Sequence, residues 1–383
     1  MNVDRLTAII LSAGLSSRMG RFKPLLPLGE KTVVERVVGV YRDAGIEDIC
    51  VVVGYRAGEV AAVLETLGIR CVMNHQFEEG MFSSIQAGVR ALPDGCRGFF
   101  VHPVDVPLVR RSTLAALIEA FKTHDGDICH PCFDGRRGHP PLVPAALAPK
   151  ILDWPGEGGL RGCWLAWDMA MQDVAVADQG ILSDLDTEED YRRMSARLPT
   201  EDIPSVDECR VLMEQVRAVP DAVRRHCLAV AAVAVRLASS LRHAGGALDL
   251  DLVRSAALVH DIARDEPHHA DAGARLLDDL DYPRLASLVR VHMEMAVGPA
   301  PELDEAGVLY LADKLVVGDR LADLSERFKR KMAKYGKDAH AVAAIEKRKL
   351  AAERLKEAIE RRCGQTIDII LAGVDNDREP AGE

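Results

Sequence analysis

Between residues 6 and 133, short apolar runs alternate with segments of helical period. The runs are Leu6–Leu11, Ile49–Val53, Arg70–Met73, Gly98–His102 and Asp127–Pro131. The helical segments between them are Thr32–Ala44, Ala57–Leu67, Ser83–Leu92 and Arg111–Thr123. No other feature constrains the fold as much. Strands separated by helices pair in parallel through crossovers, so this half is expected to be an α/β domain on a mostly parallel sheet. Ligands of such sheets collect at the carboxyl ends of the strands, and functional residues are expected just after each run.

The alternation stops at Pro199-Thr-Glu-Asp-Ile-Pro-Ser205, a polar stretch with two prolines, so residues 199–204 are expected to link domains. Helical period then takes over at Val206–Val219, Ala222–His243, Asp249–Ala263, Ala270–Leu280, Pro283–Met293, Glu305–Leu324 and Ala339–Cys363. There is little strand signal until Thr366–Leu371. The expected organisation is an α/β domain over 1–198, an all-α domain over 205–372 and a disordered polar tail over 373–383. With 383 residues, each half is long enough for its own core.

Bulk properties exclude some functions. A net charge of −11 argues against broad nonspecific nucleic-acid binding. No apolar run approaches the ~20 residues needed to span a bilayer. Nine cysteines at irregular spacing form no disulfide framework and suit a reducing cytoplasm. The region after Met1 lacks the basic-then-apolar pattern of a signal peptide. Cys129-His-Pro-Cys132 has no second pair and is read as a strand end rather than a zinc site.

The loop after the first run is built of small residues, Ser12, Ala13, Gly14, Ser16, Ser17 and Gly20, and carries two cations, Arg18 and Lys23. Small residues let backbone N–H groups approach an anion, and the cations neutralise phosphate charge. The glycine spacing fits neither a Walker loop nor a dinucleotide fingerprint. Asn74 follows the third run, and Gly80-Met-Phe-Ser83-Ser84 opens a helix. Asp105, flanked by prolines after the fourth run, suits Mg²⁺ held against phosphates. Gly138-His139-Pro-Pro and Leu182-Ser-Asp-Leu-Asp186-Thr187 follow, the last with Thr187 placed to cap a helix.

Together these segments, L-S-A-G-x-S-x-R-M-G-x-x-K-x-L-L-P-L, G-M-x-S-S, V-D-V-P, G-H-P and D-L-D-T, resemble the MobA/MocA-like nucleotidyltransferases over roughly residues 5–198. The resemblance implies a Rossmann-like domain whose loop (Ala13, Gly14, Ser16, Arg18, Lys23) wraps an NTP triphosphate. It also implies that Asn74, Ser83 and Ser84 face the base and ribose, that Asp105 and Asp186 hold Mg²⁺, and that Gly138 and His139 meet the acceptor. Arg18, Lys23 and Asp105 are the expected catalytic residues. Ser12-Ala13-Gly14 resembles the cytidylyltransferase loop more than the guanylyltransferase one, which implies CTP.

In the helical half the chemistry lies in histidines. His260-Asp261 sits at one helix, His226 on an earlier one and Asp313 on a later one, a mixed N/O set suited to Mn, Fe, Zn or Co. The H…HD…D pattern resembles the HD phosphohydrolase superfamily. His269 and His292 refine the likeness to the YqeK-like branch, which implies two metals with Asp261 bridging; the alternative is one metal, with His269 and His292 bonding substrate. Arg264 stands where that pattern commonly has Lys, and Arg264 and Lys314 are expected to contact phosphate. His268 is expected to be solvated or to lie behind the ligands. Arg327–Lys331 and Ile345–Arg362 look like solvated helix rich in i,i+4 ion pairs.

The expected protein is a bifunctional cytoplasmic enzyme. One half transfers a nucleotidyl group to a small phosphorylated acceptor, most readily a molybdopterin-type cofactor, with a molybdoenzyme or its maturation factors as further partners. The other half hydrolyses a phosphate ester or anhydride. Rival readings give the transferase a sugar, alditol or phosphonate acceptor, or make the HD half a nucleotide-binding regulatory module.

Overall fold

Leu6–Ser12 is buried at every residue, as a strand covered on both faces must be. In the computed structural model, which describes residues 5–16, 19–124 and 126–374, this segment is β1. A short hairpin, β2 (Pro27–Leu28) and β3 (Lys31–Thr32), leads into α1 (Val33–Asp43). There the Thr32 hydroxyl accepts from the Glu35 N–H, and the Glu35 carboxylate accepts from the Thr32 N–H. The alternation continues through β4 (Asp48–Val53), α2 (Ala57–Thr66), β5 (Arg70–Met73), α3 (Met81–Arg90), β6 (Gly98–Pro103), α4 (Arg111–Thr123) and β7 (Ile128–Phe133). After β7 the chain departs from it with β8 (Arg136–Arg137), β9 (Leu142–Pro144), α5 (Ala148–Asp153), α6 (Gly159–Ala166), β10 (Met171–Ala175) and α7 (Glu188–Arg197).

The strands form one eight-stranded sheet in the order β10-β7-β9-β6-β1-β4-β5, with β8 paired to β7. β1 runs parallel to β4 and β6, pairing Ile9 with Cys50 on one side and Val101 on the other. β9 is antiparallel to both its neighbours, β6 and β7. Helix α3 lies on the face that presents Ile9, Leu11, Cys50 and Val52, and its Ile85 and Val89 join that core. Gly88 makes the approach possible: a Cβ there would lie 2.3 Å from Ile9 Cγ2.

The chain divides into two compact units between Glu201 and Asp202. The second unit is helical: α8 (Val206–Val211), α9 (Asp221–His243), α10 (Leu250–Val259), α11 (His269–Asp279), α12 (Pro283–Val291), α13 (Glu305–Lys314), α14 (Leu324–Tyr335), α15 (Ala339–Cys363) and α16 (Ile367–Ile370). A small hairpin, β11 (Val316–Val317) and β12 (Arg320–Leu321), follows α13. Helix α9 is central, and its buried small residues Ala229, Ala231, Ala234 and Ala238 let α10 and α13 lie against it.

Three sequence expectations change here. Glu305–Leu324 is not one helix: it stops at Lys314, and the chain reverses at Gly318 with φ +63°, a conformation glycine adopts freely. Val206–Val219 ends α8 early, passes through a π-helical turn at Leu212–Val216 and turns away at Ala218. Thr366–Leu371 is not a strand: the Thr366 hydroxyl accepts from the Ile369 N–H and starts α16. Residues 375–383, and so most of the expected tail, lie outside the described residues. No helix among the described residues is long and apolar enough to cross a membrane.

Candidate functional site

In the first unit the selected residues gather where a parallel sheet would put them. The loop leaving β1 turns at Ser16, whose backbone is left-handed with φ +53° and whose Oγ accepts from the Lys23 N–H at 3.2 Å. A Cβ on Gly14 would meet nothing within 4 Å, so the loop is open on that side. Arg18 lies outside the described residues.

Lys23 is 8% exposed. Its Nζ donates to Asp186 Oδ1 at 2.7 Å and to Asp105 Oδ2 at 3.2 Å. Burial alone would lower its pKa; the two carboxylates overcome that and raise it. The Leu185 N–H donates to the Asp105 carbonyl at 2.7 Å, which fixes the segment carrying Asp186 beside the end of β6. Thr187 caps α7 in a reciprocal capping box with Asp190.

The sequence reading passed over Asp184. Burial raises its pKa, Asp105 raises it further, and His139 opposes both. In an extended chain residues two apart point the same way, so the Asp184-Leu-Asp186 spacing was the available signal. Three carboxylates and an ammonium thus share the carboxyl edge, an oxygen-rich set that fits Mg²⁺.

His139 arrives from an unusual direction. Gly138 donates to the Pro131 carbonyl and His139 to that of Ile181, and a Cβ on Gly138 would lie 2.4 Å from the Ile181 oxygen. Because β9 runs antiparallel, the loop that precedes it, not the one that follows, lies at the functional edge. His139 Nδ1 is buried with no hydrogen-bond partner. Burial lowers its pKa against the pull of Asp184 and Asp105.

Asn74, Ser83 and Ser84 come together, but they face one another. Asn74 Nδ2 donates to both hydroxyls at 2.9 Å, and Asn74 and Ser84 are each 4% exposed. Helix α3 already begins at Met81, before the two serines. Asn74 spends both amide hydrogens on the two serines, and the Ser83 hydroxyl donates to the Gln76 and Gly80 carbonyls, so neither side chain has a donor left for a base or ribose.

In the second unit, six side chains from five places in the sequence converge. Asp261 faces His226 Nε2 at 3.9 Å and His260 Nε2 at 3.7 Å through Oδ2. Through Oδ1 it faces His269 Nε2 at 3.3 Å and His292 Nε2 at 3.5 Å. Asp313 Oδ1 lies 3.3 Å from His226 Nε2.

The far side of each of three rings is fixed. The Nδ1 atoms of His226, His260 and His292 bond the carbonyls of Gly318, Ala257 and Val289 at 2.6–2.8 Å. In a neutral ring that leaves Nε2 as an acceptor, aimed inward. His260 Nε2 and His292 Nε2 are buried and have no hydrogen-bond partner. Burial lowers the His260 pKa to about 4, so its ring is neutral at pH 7. Burial alone would raise Asp261, but His260, His269, His292 and Arg264 hold it far below the usual carboxylate range.

Two groups can each hold an ion, His226-His260-Asp261 and Asp261-His269-His292, with their ligand atoms within 4.8 Å of one another. Ring nitrogens that converge on one shared carboxylate fit a divalent transition metal.

Arg264 is half exposed beside this cluster, with its guanidinium 3.3 Å from Asp261 Oδ1 and 3.2 Å from His269 Nε2. His268 is exposed at the start of α11. Lys314 does not face a substrate. It is 2% exposed, and its Nζ is turned inward onto the His292 carbonyl and Asp313. The expectation that Lys314 contacts phosphate is corrected on that ground.

Comparison with known families agrees with both halves. Residues 8–171 match the MobA-like NTP transferase domain, and residues 223–318 match the HD domain. The chain joins a MobA-like NTP transferase domain to an HD domain. The transferase domain is 28% identical over 197 residues to nicotine blue oxidoreductase of Paenarthrobacter nicotinovorans, covering 49% of this chain and 95% of that protein. It is 27% identical over 191 residues to the molybdenum cofactor cytidylyltransferase of Escherichia coli, with the same two coverages, 49% and 95%. A solved nucleotidyl transferase from Methanothermobacter thermautotroptrophicus is 26% identical, with a TM-score of 0.46 over 51% of this chain and 99% of that one. The HD match ends at Gly318, before α14 and α15 begin.

Proposed function

We propose that the transferase domain moves a nucleotidyl group from an NTP, CTP by preference, to a phosphorylated acceptor of molybdopterin type, and that the HD domain hydrolyses a phosphate ester or anhydride. The observation that carries the first half is the meeting of Lys23 with Asp105 and Asp186 at the carboxyl edge of the sheet. Likeness to a cytidylyltransferase of the molybdenum cofactor supports the acceptor and the base. The relative named for an oxidoreductase means that the sequence framework alone does not choose the reaction. The charged cluster favours transfer, because carboxylates able to hold Mg²⁺ and a fixed cation both serve to stabilise charge on a transferring phosphoryl group.

Asp105 and Asp186 would hold Mg²⁺, which when bound supplies charge against the triphosphate. Lys23 holds the two carboxylates in place and has a third N–H donor left for a phosphate oxygen. His139, with a buried ring nitrogen unpartnered, is placed to bond the acceptor. The acceptor phosphate attacks the α-phosphorus, and pyrophosphate leaves with its charge met by Lys23 and, on the sequence reading, Arg18.

In the HD domain, Asp261, Asp313 and the four histidines would hold two divalent ions, which when bound activate water and polarise the phosphoryl group. Arg264, half exposed beside Asp261 and His269, would exchange those contacts for a phosphate oxygen. The reaction is tested by incubating the whole protein with each NTP and purified molybdopterin and weighing the products. A product heavier by one cytidylyl group is expected from CTP. No adduct with any NTP, or clear preference for GTP, would sink the acceptor or the base assignment respectively. For the HD domain, nucleotide binding without phosphate release in the presence of Mn²⁺ would replace hydrolysis with a regulatory role.

A further inference from the structure

Lys314 closes α13 with its whole side chain in the interior. A lone buried ammonium is costly, so its partners must account for its presence. Nζ donates to the His292 carbonyl at 3.0 Å and to Asp313 Oδ2, and it lies 4.6 Å from the centroid of the Tyr310 ring.

Both hydrogen-bond partners lead into the histidine cluster, by different routes. With Oδ2 taken, Asp313 presents Oδ1 to His226 Nε2, in the group built on Asp261 Oδ2. The carbonyl belongs to His292, just past the end of α12, and the ring of that residue faces Asp261 Oδ1 in the other group. Carbonyls at a helix end lack intrahelical partners, so a donor there fixes a turn that could otherwise shift. One ammonium therefore holds Asp313, which faces a member of the first group, and the backbone of His292, a member of the second.

We propose that Lys314 is a positioning residue that ties the two metal positions of the HD domain together, so that its loss weakens both at once. The inference rests on the reading of the cluster as a two-ion site. A purely structural lysine would stabilise the fold and leave metal affinity alone. Arg327 also bonds the Asp313 backbone carbonyl and that of Val316, so Asp313 keeps a cationic neighbour when Lys314 is replaced.

The test uses the full chain, stripped of metal and titrated with Mn²⁺ alone by calorimetry and electron paramagnetic resonance. Wild type is expected to take two ions and to give an exchange-coupled spectrum. In Lys314→Met both affinities are expected to fall ~10–100-fold, the range for partners that orient metal ligands, and the coupled signal to vanish at Mn²⁺ levels that saturate wild type. Two ions bound with wild-type affinity, alongside a lowered Tm, would overturn the inference alone. A wild type that saturates at one ion overturns the two-ion reading and this inference with it. Lys314→Arg keeps a buried cation and serves where Lys314→Met does not fold. Its two affinities are expected to shift together, and a shift in one alone overturns the tie.

Discussion

Lys23 illustrates how far single residues could be read. As a cation in a loop of small residues it is expected to meet phosphate; that it joins two carboxylates was not legible, because Asp105 and Asp186 are distant in sequence and only the fold brings them together. Lys23→Ala is expected to cut nucleotidyl transfer ~10²–10³-fold, the usual cost of one charge-stabilising donor, with the circular dichroism spectrum unchanged. Wild-type rates in that variant would remove Lys23 from the mechanism. The histidines of the HD domain were legible because pattern and spacing survive in sequence, whereas Lys314 was misread because burial does not. His269→Ala and His292→Ala each remove one nitrogen from the group on Asp261 Oδ1 and leave the other group whole. Metal analysis is therefore expected to drop from two ions per chain to one in either variant. Two tightly held ions in both would mean that these rings are not ligands.

At the level of elements, the strands and helices of the first half were legible wherever apolar runs are long. Apart from the two-residue strands, two strands were missed, for different reasons. β9 spans three residues and follows Pro140 and Pro141, too short and too proline-rich to show a period. β10, Met171–Ala175, is an edge strand without an apolar run, as edges commonly are. The contact between α3 and β1 was equally invisible, since it depends on an absence at Gly88. In Gly88→Ala the new methyl would overlap the stiff, β-branched Ile9. Overpacking of this kind costs ~1–3 kcal/mol, and the helical preference of alanine returns ~1 kcal/mol at most, so a net loss of stability is expected. A lower midpoint of urea unfolding for the transferase domain would show it; an unchanged midpoint would mean that the helix simply shifts outward.

For the whole molecule, the change of period near residue 200 was the legible signal, and the two units divide at Glu201 and Asp202. Glu201 pairs with Arg36 and accepts from Arg110 through its carbonyl; Asp202 pairs with Arg284, and Ser255 bonds the Pro204 carbonyl. Each flank of the junction is thus tied to its own unit. Fragments 1–201 and 202–383 are expected to fold separately, each with a cooperative melt, because each has length enough for a core. Insoluble halves from a stable whole would contradict that division. The sheet of the first unit carries a further implication. β9 is the one strand between β6 and β7, and it opposes both, so the segment bearing His139 reaches the active edge before it enters the sheet rather than after leaving it. That segment is pinned by backbone bonds from Gly138 to Pro131 and from His139 to Ile181, so its path is set by the loops around it and not by the register of the parallel strands. Under the proposed function, the acceptor would thus be met by a segment with a chain direction opposite to that of the strands on the nucleotide side.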